Sequence, residues 1–576
     1  MERSGSGQGL PFFVTASPQP SCRRRCLRSW RSLPRFQRTL AALSICLILL
    51  SLLALLQTYR TLPSRLDHAH RHPEVAVVQH SQPQMTAKLE EQAKPEERRL
   101  PEEFEAPPPD APQQIRLPNA MHFKGPENER QKAVVAAFQH AWKGYKENAW
   151  GKDQLRPVSG RYSEWFGVGL TIIDSLDTLI IMGLDEEFKE ARDWVEKSLS
   201  FEKSKYVSLF ETTIRCLGGL LSAFHLSGDN LFLEKAKDLG FRLAGAFNSP
   251  SKIPFSDVNL ASMTAKNPAW SSESSLAEFT SIQLEFRDLS RQTRLPIFEN
   301  LAFNTSLHLH QLGCPDGLCQ MFMSPKTGRF SGAATLTFGA RADSYYEYLL
   351  KQWLQTGKTI DWLRSDYAEA MKGMEDKLVR YSEPNKLTFV GELLGGTTYS
   401  PKMDHLVCFI AGTLALGTQH GFPKQHLDLA RAIGHTCHEM YRNPTGLGPE
   451  IAHFNMVEMP TKEDLYVKPL DSHSLLRPEA IEAWFYLHRI TGDKTYQEWG
   501  WQVFQAIEKH AKTRHGYSSV KNVKKIPVQH QDLMETFFLA ETLKYLYLLF
   551  SDTQSELPLS EWVFNTEAHP LPIYKS

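Results

Sequence analysis

Apolar and polar positions divide the 576-residue chain into three regions of different texture. Between Arg38 and Arg60 stand 21 uncharged residues, TLAALSICLILLSLLALLQTY, with no polar face. That matches the roughly 20 residues with which an α-helix crosses the hydrocarbon core of a bilayer. From Arg60 to about Ile115 apolar positions almost vanish. From about Arg116 they return with the period of a helix. In Arg130–Tyr145, the residues Val134, Phe138, Ala141, Trp142 and Tyr145 fall at i, i+4, i+7, i+8 and i+11, one helical face. The run LFETTIRCLGGLLSAFHLSGD predicts a helix stopped by Gly228, and Met534–Phe550 is apolar enough to predict a buried helix.

A degenerate repeat links these helices. Gly183-Leu-Asp-Glu-Glu-Phe188, Gly228-Asp-Asn-Leu-Phe232 and Gly492-Asp-Lys-Thr-Tyr496 each end one helix and place an aromatic three residues after an Asp, opening the next. Leu295-Pro296-Ile297-Phe298 reads as a worn fourth copy. Helix pairs repeated in this way stack to bury a shared core. The pattern predicts an all-α array and leaves open whether it is a solenoid or a closed α/α barrel.

Charge placement adds a topology. Lys+Arg and Asp+Glu both total 65, which gives no basic footprint for nucleic acid. Residues 22 to 38, however, hold seven arginines and no acid. The positive-inside rule keeps that side cytosolic, and the apolar run begins too late and runs too long for a cleaved signal peptide. The expected organisation is a basic tail over 1–38, a single-pass signal anchor over 39–59, a solvated stem over 60–115 and a lumenal helical domain over 116–576. Within the stem, Glu90–Pro112 carries eight acids and three bases and is too polar to offset the entropy of ordering. An oxidising lumen permits disulfides among Cys216, Cys314, Cys319, Cys408 and Cys437, and an odd count leaves at least one unpaired within the domain. Asn304-Thr305-Ser306 is a usable glycosylation sequon; Asn443-Pro444-Thr445 is excluded by its proline.

The candidate chemistry is carried by carboxylates set among apolar and aromatic residues: Glu211, Asp343, Glu347, Glu450, Glu479, Glu482, Glu541 and Glu567. A buried carboxylate needs a charge partner, a metal or hydrogen bonds. Three have an arginine near in sequence: Arg215 four after Glu211, Arg341 two before Asp343, and Arg477 two before Glu479. Internal ion pairs of a helical bundle are the plain reading of any one of them. Their number, beside Trp, Tyr, Phe and His suited to stacking on sugar rings, points instead to glycoside cleavage. That reaction needs one carboxylic acid to protonate the leaving oxygen and a second carboxylate to activate water or attack the sugar. There is no G-x-S-x-G elbow, P-loop, HExxH or lumenal CxxC. His405 lacks a second His at ligand spacing and reads as a packed or sugar-contacting residue.

At these residues the sequence resembles glycoside hydrolase family 47, the class I α-1,2-mannosidases, from about residue 116 to the C-terminus. The resemblance rests on GLTIIDSLDTLIIMGL, SLFETTIRCLGGLLSA, RADSYYEYLLKQW, MDHLVCFIAGTLALG, LLRPEAIEAWFYLHRITGD and VFNTEAHPLPI. It implies a closed (α/α)₇ barrel plugged by a hairpin, with the site at one mouth. It also implies a Ca²⁺-dependent, inverting hydrolase of high-mannose N-glycans with a monomeric catalytic domain. Glu211 then matches the proton donor, and Asp343 and Glu479 match the other catalytic carboxylates, with Glu479 the base. Thr566 matches the Ca²⁺ ligand, through hydroxyl and carbonyl oxygen, with waters held by Glu450, Glu482, Glu541 and Glu567. Arg215, Arg341, Arg477 and His405 join those carboxylates as expected substrate-binding residues. Cys408 and Cys437 match the family disulfide; Cys314 and Cys319 depart from the pattern, and either pair locally or leave a free thiol. Arg341 resembles the endoplasmic-reticulum type, which removes one middle-branch mannose in glycoprotein quality control and endoplasmic-reticulum-associated degradation. The Golgi types look smaller and uncharged there. The rival from another class is a non-hydrolytic mannose-binding factor on the same barrel, whose representatives lack the Cys pair.

Overall fold

The computed structural model describes residues 118–330, 335–457 and 463–575. The expected tail, anchor and stem lie outside the described residues. Among the described residues no helix is long and apolar enough to cross a membrane.

Among the described residues fourteen helices of seven residues or more follow one another, alternating between an outer and an inner layer. The outer ones are α1 (Glu129–Ala149), α3 (Asp185–Ser198), α5 (Asn230–Ala244), α7 (Ile297–Leu312), α9 (Asp361–Lys377), α11 (Gln425–Met440) and α13 (Thr495–His510). The inner ones are α2 (Leu170–Ile181), α4 (Gly218–Ser227), α6 (Gln283–Thr293), α8 (Asp343–Gln355), α10 (Phe409–Thr418), α12 (Glu479–Thr491) and α14 (Leu543–Leu549). Burial separates the layers. In α2 eleven of twelve residues are buried, whereas α3 buries only Ala191 and Val195 of its fourteen. A helix apolar all round belongs inside, and one with a single apolar stripe lies against it.

Each inner helix packs on the next, from α2 through α4, α6, α8, α10 and α12 to α14. A π-helical turn leading into α14, Phe538–Thr542, packs back on α2 and closes the ring. This is a seven-fold α/α barrel, so the closure that the sequence pattern left open is settled. The repeat supplies its joints. Gly183, Gly228 and Gly492 stop α2, α4 and α12 in the left-handed region, at φ 68°, 70° and 72°, a conformation that glycine adopts without a Cβ clash. In the worn copy Arg294 takes that conformation instead, at φ 59°. Phe232, Phe298 and Tyr496 are buried in the seams that follow.

Two features differ from the sequence reading. The helix expected over Met534–Phe550 forms only from about Phe537, because Met534–Thr536 run as extended and turn residues beside the barrel mouth. Eight small antiparallel sheets, with strands of two to four residues, also join the helices. Strands that short carry too few residues for an alternating pattern to be read. One pair, Trp562–Phe564 with Pro570–Pro572, forms a hairpin that enters the barrel against α4, α6 and α8. Val563, Phe564 and Leu571 bury it there. Cys408–Cys437 and Cys314–Cys319 are bridged, with Cα separations of 6.0 and 4.8 Å, and Cys216 is free and buried. Asn304 lies half-buried within α7.

Candidate active site

The barrel mouth is built from the beginnings of inner helices. Asp343 and Glu479 are the first residues of α8 and α12, where backbone N–H groups and the helix dipole favour a carboxylate. Glu211 ends a short turn whose Ser208 hydroxyl accepts from the Glu211 N–H, and the chain then passes into a π-helical turn, Thr212–Leu217, that carries Arg215. Glu541 lies on the second π turn, ahead of α14. Such turns inside helices are frequent at functional sites. The hairpin tip brings Thr566 and Glu567 up from below.

These elements enclose a cavity of about 340 Å³. Its walls include eight carboxylates (Glu211, Glu278, Asp343, Glu347, Glu479, Glu482, Glu541, Glu567) against three guanidinium groups, those of Arg215, Arg341 and Arg477. Thr566 lies among them. Of the expected residues, Glu450 and His405 stand behind this wall. Glu450 accepts from Arg477 Nε at 2.5 Å and from the Leu475 N–H, so it holds Arg477 in place. His405 is buried with both ring nitrogens engaged, Nδ1 2.6 Å from Glu479 Oε2 and Nε2 2.7 Å from the Tyr441 hydroxyl. It reaches the cavity only through Glu479.

Ion pairing sorts the carboxylates. Arg215 bridges Glu211, at 2.8 Å, and Glu567, with Asp174 at 3.6 Å behind. Lys351 pairs with Glu347 and lies 3.7 Å from Glu482. The proximity of Arg341 to Asp343 in sequence does not become an ion pair. Arg341 turns away to Glu278 at 3.6 Å and stacks over Trp270 at 4.3 Å, while Asp343 accepts from the Ser344 N–H. The left-handed backbone of Arg341, φ 76°, accounts for the turn.

The electrostatics follow. Burial pushes the Asp343 carboxyl up to about 7, aided by the charges of Glu347, Asp404 and Glu479 and opposed by the Ser344 N–H. Glu479 is equally enclosed, yet its hydrogen bond to His405 and the nearby Arg477 outweigh burial and hold it below the usual range. Burial raises Glu482 to about 8 despite Lys351, and lifts Glu541 well above the ordinary value, with Glu567, Glu479 and Glu482 adding to the effect. One cavity therefore holds a carboxylate kept charged and others that retain protons near neutrality.

That surplus of oxygen and negative charge fits a hard cation. No group of three His, Cys, Asp or Glu at metal-ligating distance exists among the described residues, so a direct carboxylate cage is absent. Ca²⁺ takes six to eight oxygens and accepts waters among them. Thr566 offers hydroxyl and carbonyl oxygens, and Glu482, Glu541 and Glu567 can each hold a water. Tyr348 fixes the turn by accepting from the Thr566 N–H at 3.4 Å.

Sequence reasoning passed over Glu278 and Lys351. Glu278 closes a capping box with Ser275, a spacing that signals a helix start and hides the second role. Lys351 stands four residues after Glu347 and was legible as its partner.

Comparison with known proteins gives a family and a fold. Residues 137–573 match glycosyl hydrolase family 47. The chain is 56% identical over 453 residues to the endoplasmic reticulum mannosyl-oligosaccharide 1,2-alpha-mannosidase of Rattus norvegicus, covering 78% of this chain and 69% of that protein. It is also 56% identical over 451 residues to the protein of the same name from Homo sapiens, of which 64% is covered. The chain thus spans about two-thirds of the length of these relatives. Its fold is similar to that of the α-1,2-mannosidase from Trichoderma reesei, with a TM-score of 0.72 and 30% identity, over 78% of this chain and all of that one.

Proposed function

The chain belongs to glycosyl hydrolase family 47, and from that premise we propose that it is a Ca²⁺-dependent, inverting exo-α-1,2-mannosidase of the endoplasmic reticulum. Its substrates are high-mannose N-glycans, trimmed from nine mannoses to one eight-mannose isomer in glycoprotein quality control and endoplasmic-reticulum-associated degradation. A single-pass anchor over residues 39–59 holds the catalytic domain on the lumenal side.

One observation carries the reading: Glu211, Asp343 and Glu479, from three separate elements, line one cavity in which Asp343 and Glu479 differ sharply in acidity. Surroundings that hold one carboxylate charged suit it to the base role, which falls to Glu479. Glu479, held charged, takes the proton of the attacking water. Glu211, fixed by Arg215, protonates the leaving glycosidic oxygen. Asp343, protonated near neutrality, donates a hydrogen bond toward the same oxygen. Inversion requires acid and base on opposite faces of the sugar with room between them for water. Thr566 and the waters on Glu482, Glu541 and Glu567 would hold Ca²⁺, which when bound orients hydroxyls of the terminal mannose and favours a distorted ring. Arg341, at the rim on Trp270, offers a planar donor fork to the neighbouring branch.

The test is incubation of the protein with the nine-mannose glycan, with nuclear magnetic resonance of the first product. Release of β-mannose and a single eight-mannose isomer supports the reading. Initial α-mannose contradicts inversion, and binding without cleavage makes the protein a mannose-binding factor.

A further inference from the structure

Behind Glu479 lies a buried relay that the reaction outlined above does not use. The His405 ring stands between Glu479 and Tyr441, with Nδ1 2.6 Å from Glu479 Oε2 and Nε2 2.7 Å from the Tyr441 hydroxyl. A carboxylate only accepts, so Nδ1 carries the hydrogen given to Glu479. The Tyr441 hydroxyl meets the opposite nitrogen, Nε2, so the ring is held at both ends.

The backbone fixes this alignment from both sides. His405 opens a turn that ends at Cys408, and Tyr441 directly follows α11, four residues after Cys437. The Cys408–Cys437 bridge therefore ties the two ring-bearing segments together. Gly448 lies against both rings: a Cβ there would come within 2.7 Å of the Tyr441 ring and 3.1 Å of His405, so a larger residue would displace them. The Tyr441 ring also packs on Trp484, with centroids 5.8 Å apart. The His405 N–H donates to the Glu450 carbonyl, and the Glu450 side chain holds Arg477, whose guanidinium lies 3.7 Å from Glu479.

We propose that Tyr441 is a positioning residue for the hydrolysis: through the His405 ring, and braced by the Cys408–Cys437 bridge, it aims and polarises the imidazole donor that orients Glu479 toward water. Hydrogen bonds in a buried chain strengthen one another, and outer partners of this kind set the tautomer and aim of a functional imidazole. The proposal rests on Glu479 being the base. The other groups that face Glu479 are Arg477, Asp343, Glu482 and Glu541; Glu450 and Glu479 are the charges facing Tyr441. None of these is altered by replacing the phenol.

The test is Tyr441→Phe in the full chain, which deletes one oxygen and keeps the ring on Trp484. The expected result is a fall in kcat of about tenfold or more with KM and affinity for a non-hydrolysable α-1,2-linked mannose disaccharide unchanged. The acid limb of kcat/KM should move up by about one pH unit, as the His405 donor to Glu479 loses its alignment. Glu479→Gln, measured beside it, separates the two readings. If Glu479→Gln is inactive and Tyr441→Phe keeps the parent pH profile and kcat, the relay is refuted and the base assignment stands. If Glu479→Gln retains activity, the base assignment itself fails.

Discussion

Asp343 and Glu479 begin the inner helices α8 and α12, on either side of α10, and face the same cavity, yet one carboxyl is raised to about 7 and the other is held below its usual range. The difference comes from their partners. Glu479 has His405 and Arg477, whereas Asp343 has a single backbone N–H and three nearby carboxylates. In the proposed reaction this contrast suits Glu479 to the base role.

Roles can be separated by leaving group. Glu211→Gln should lower nine-mannose hydrolysis by about 10²–10⁴-fold, the usual worth of a general acid. On α-mannosyl fluoride, whose leaving group needs no proton, the loss should shrink to within about tenfold. Glu479→Gln should be poor on both substrates, since water must still be activated. Equal losses for Glu211→Gln on both would remove it from the acid role.

The raised pKa of Asp343 also has a cost in stability. Below about pH 4 the folded and unfolded chains both hold the proton. Between there and about 7 the unfolded chain releases it while the folded one retains it, so stability declines as pH rises. Asp343→Asn has no charge to bury. Its melting temperature should exceed the parent's by about 1–3 °C at pH 8 and match it near pH 4. A constant difference across that range would contradict the assigned shift.

Arg341 stands at the rim, stacked on Trp270 and turned from Asp343. Arg341→Leu removes a bidentate donor and its pairing with Glu278, and leaves Glu211, Asp343 and Glu479 with their own partners. The expected outcome is relaxed branch choice, seen by glycan profiling as more than one mannose removed, with the rate of the first cleavage kept within about threefold. A single unchanged isomer would take Arg341 out of the specificity argument.

Much of this was legible in the chain. The 3.6-residue period located α1 by Val134, Phe138 and Trp142, and the glycine stops located the joints after α2, α4 and α12. Seven of the eight singled-out carboxylates line the cavity. Closure was not legible, because the contact between the Phe538–Thr542 turn and α2 joins segments more than 350 residues apart. Neither was the direction of Arg341, which a left-handed backbone decides. The His405–Tyr441 contact spans 36 residues and depends on a bridge whose pairing came from family resemblance.

The central claim is that a cation at Thr566 completes the site. Thr566 sits at the tip of the hairpin formed by Trp562–Phe564 and Pro570–Pro572. Here the hairpin is buried, and a cation that binds only the folded state should add to that anchorage by mass action. The direct measurement is the rate of mannose release from the nine-mannose glycan as a function of free Ca²⁺. The expected result is loss of activity on exhaustive chelation, full recovery on adding Ca²⁺, and a higher Ca²⁺ requirement for Thr566→Ala. Hydrolysis at the parent rate after exhaustive chelation would contradict the account.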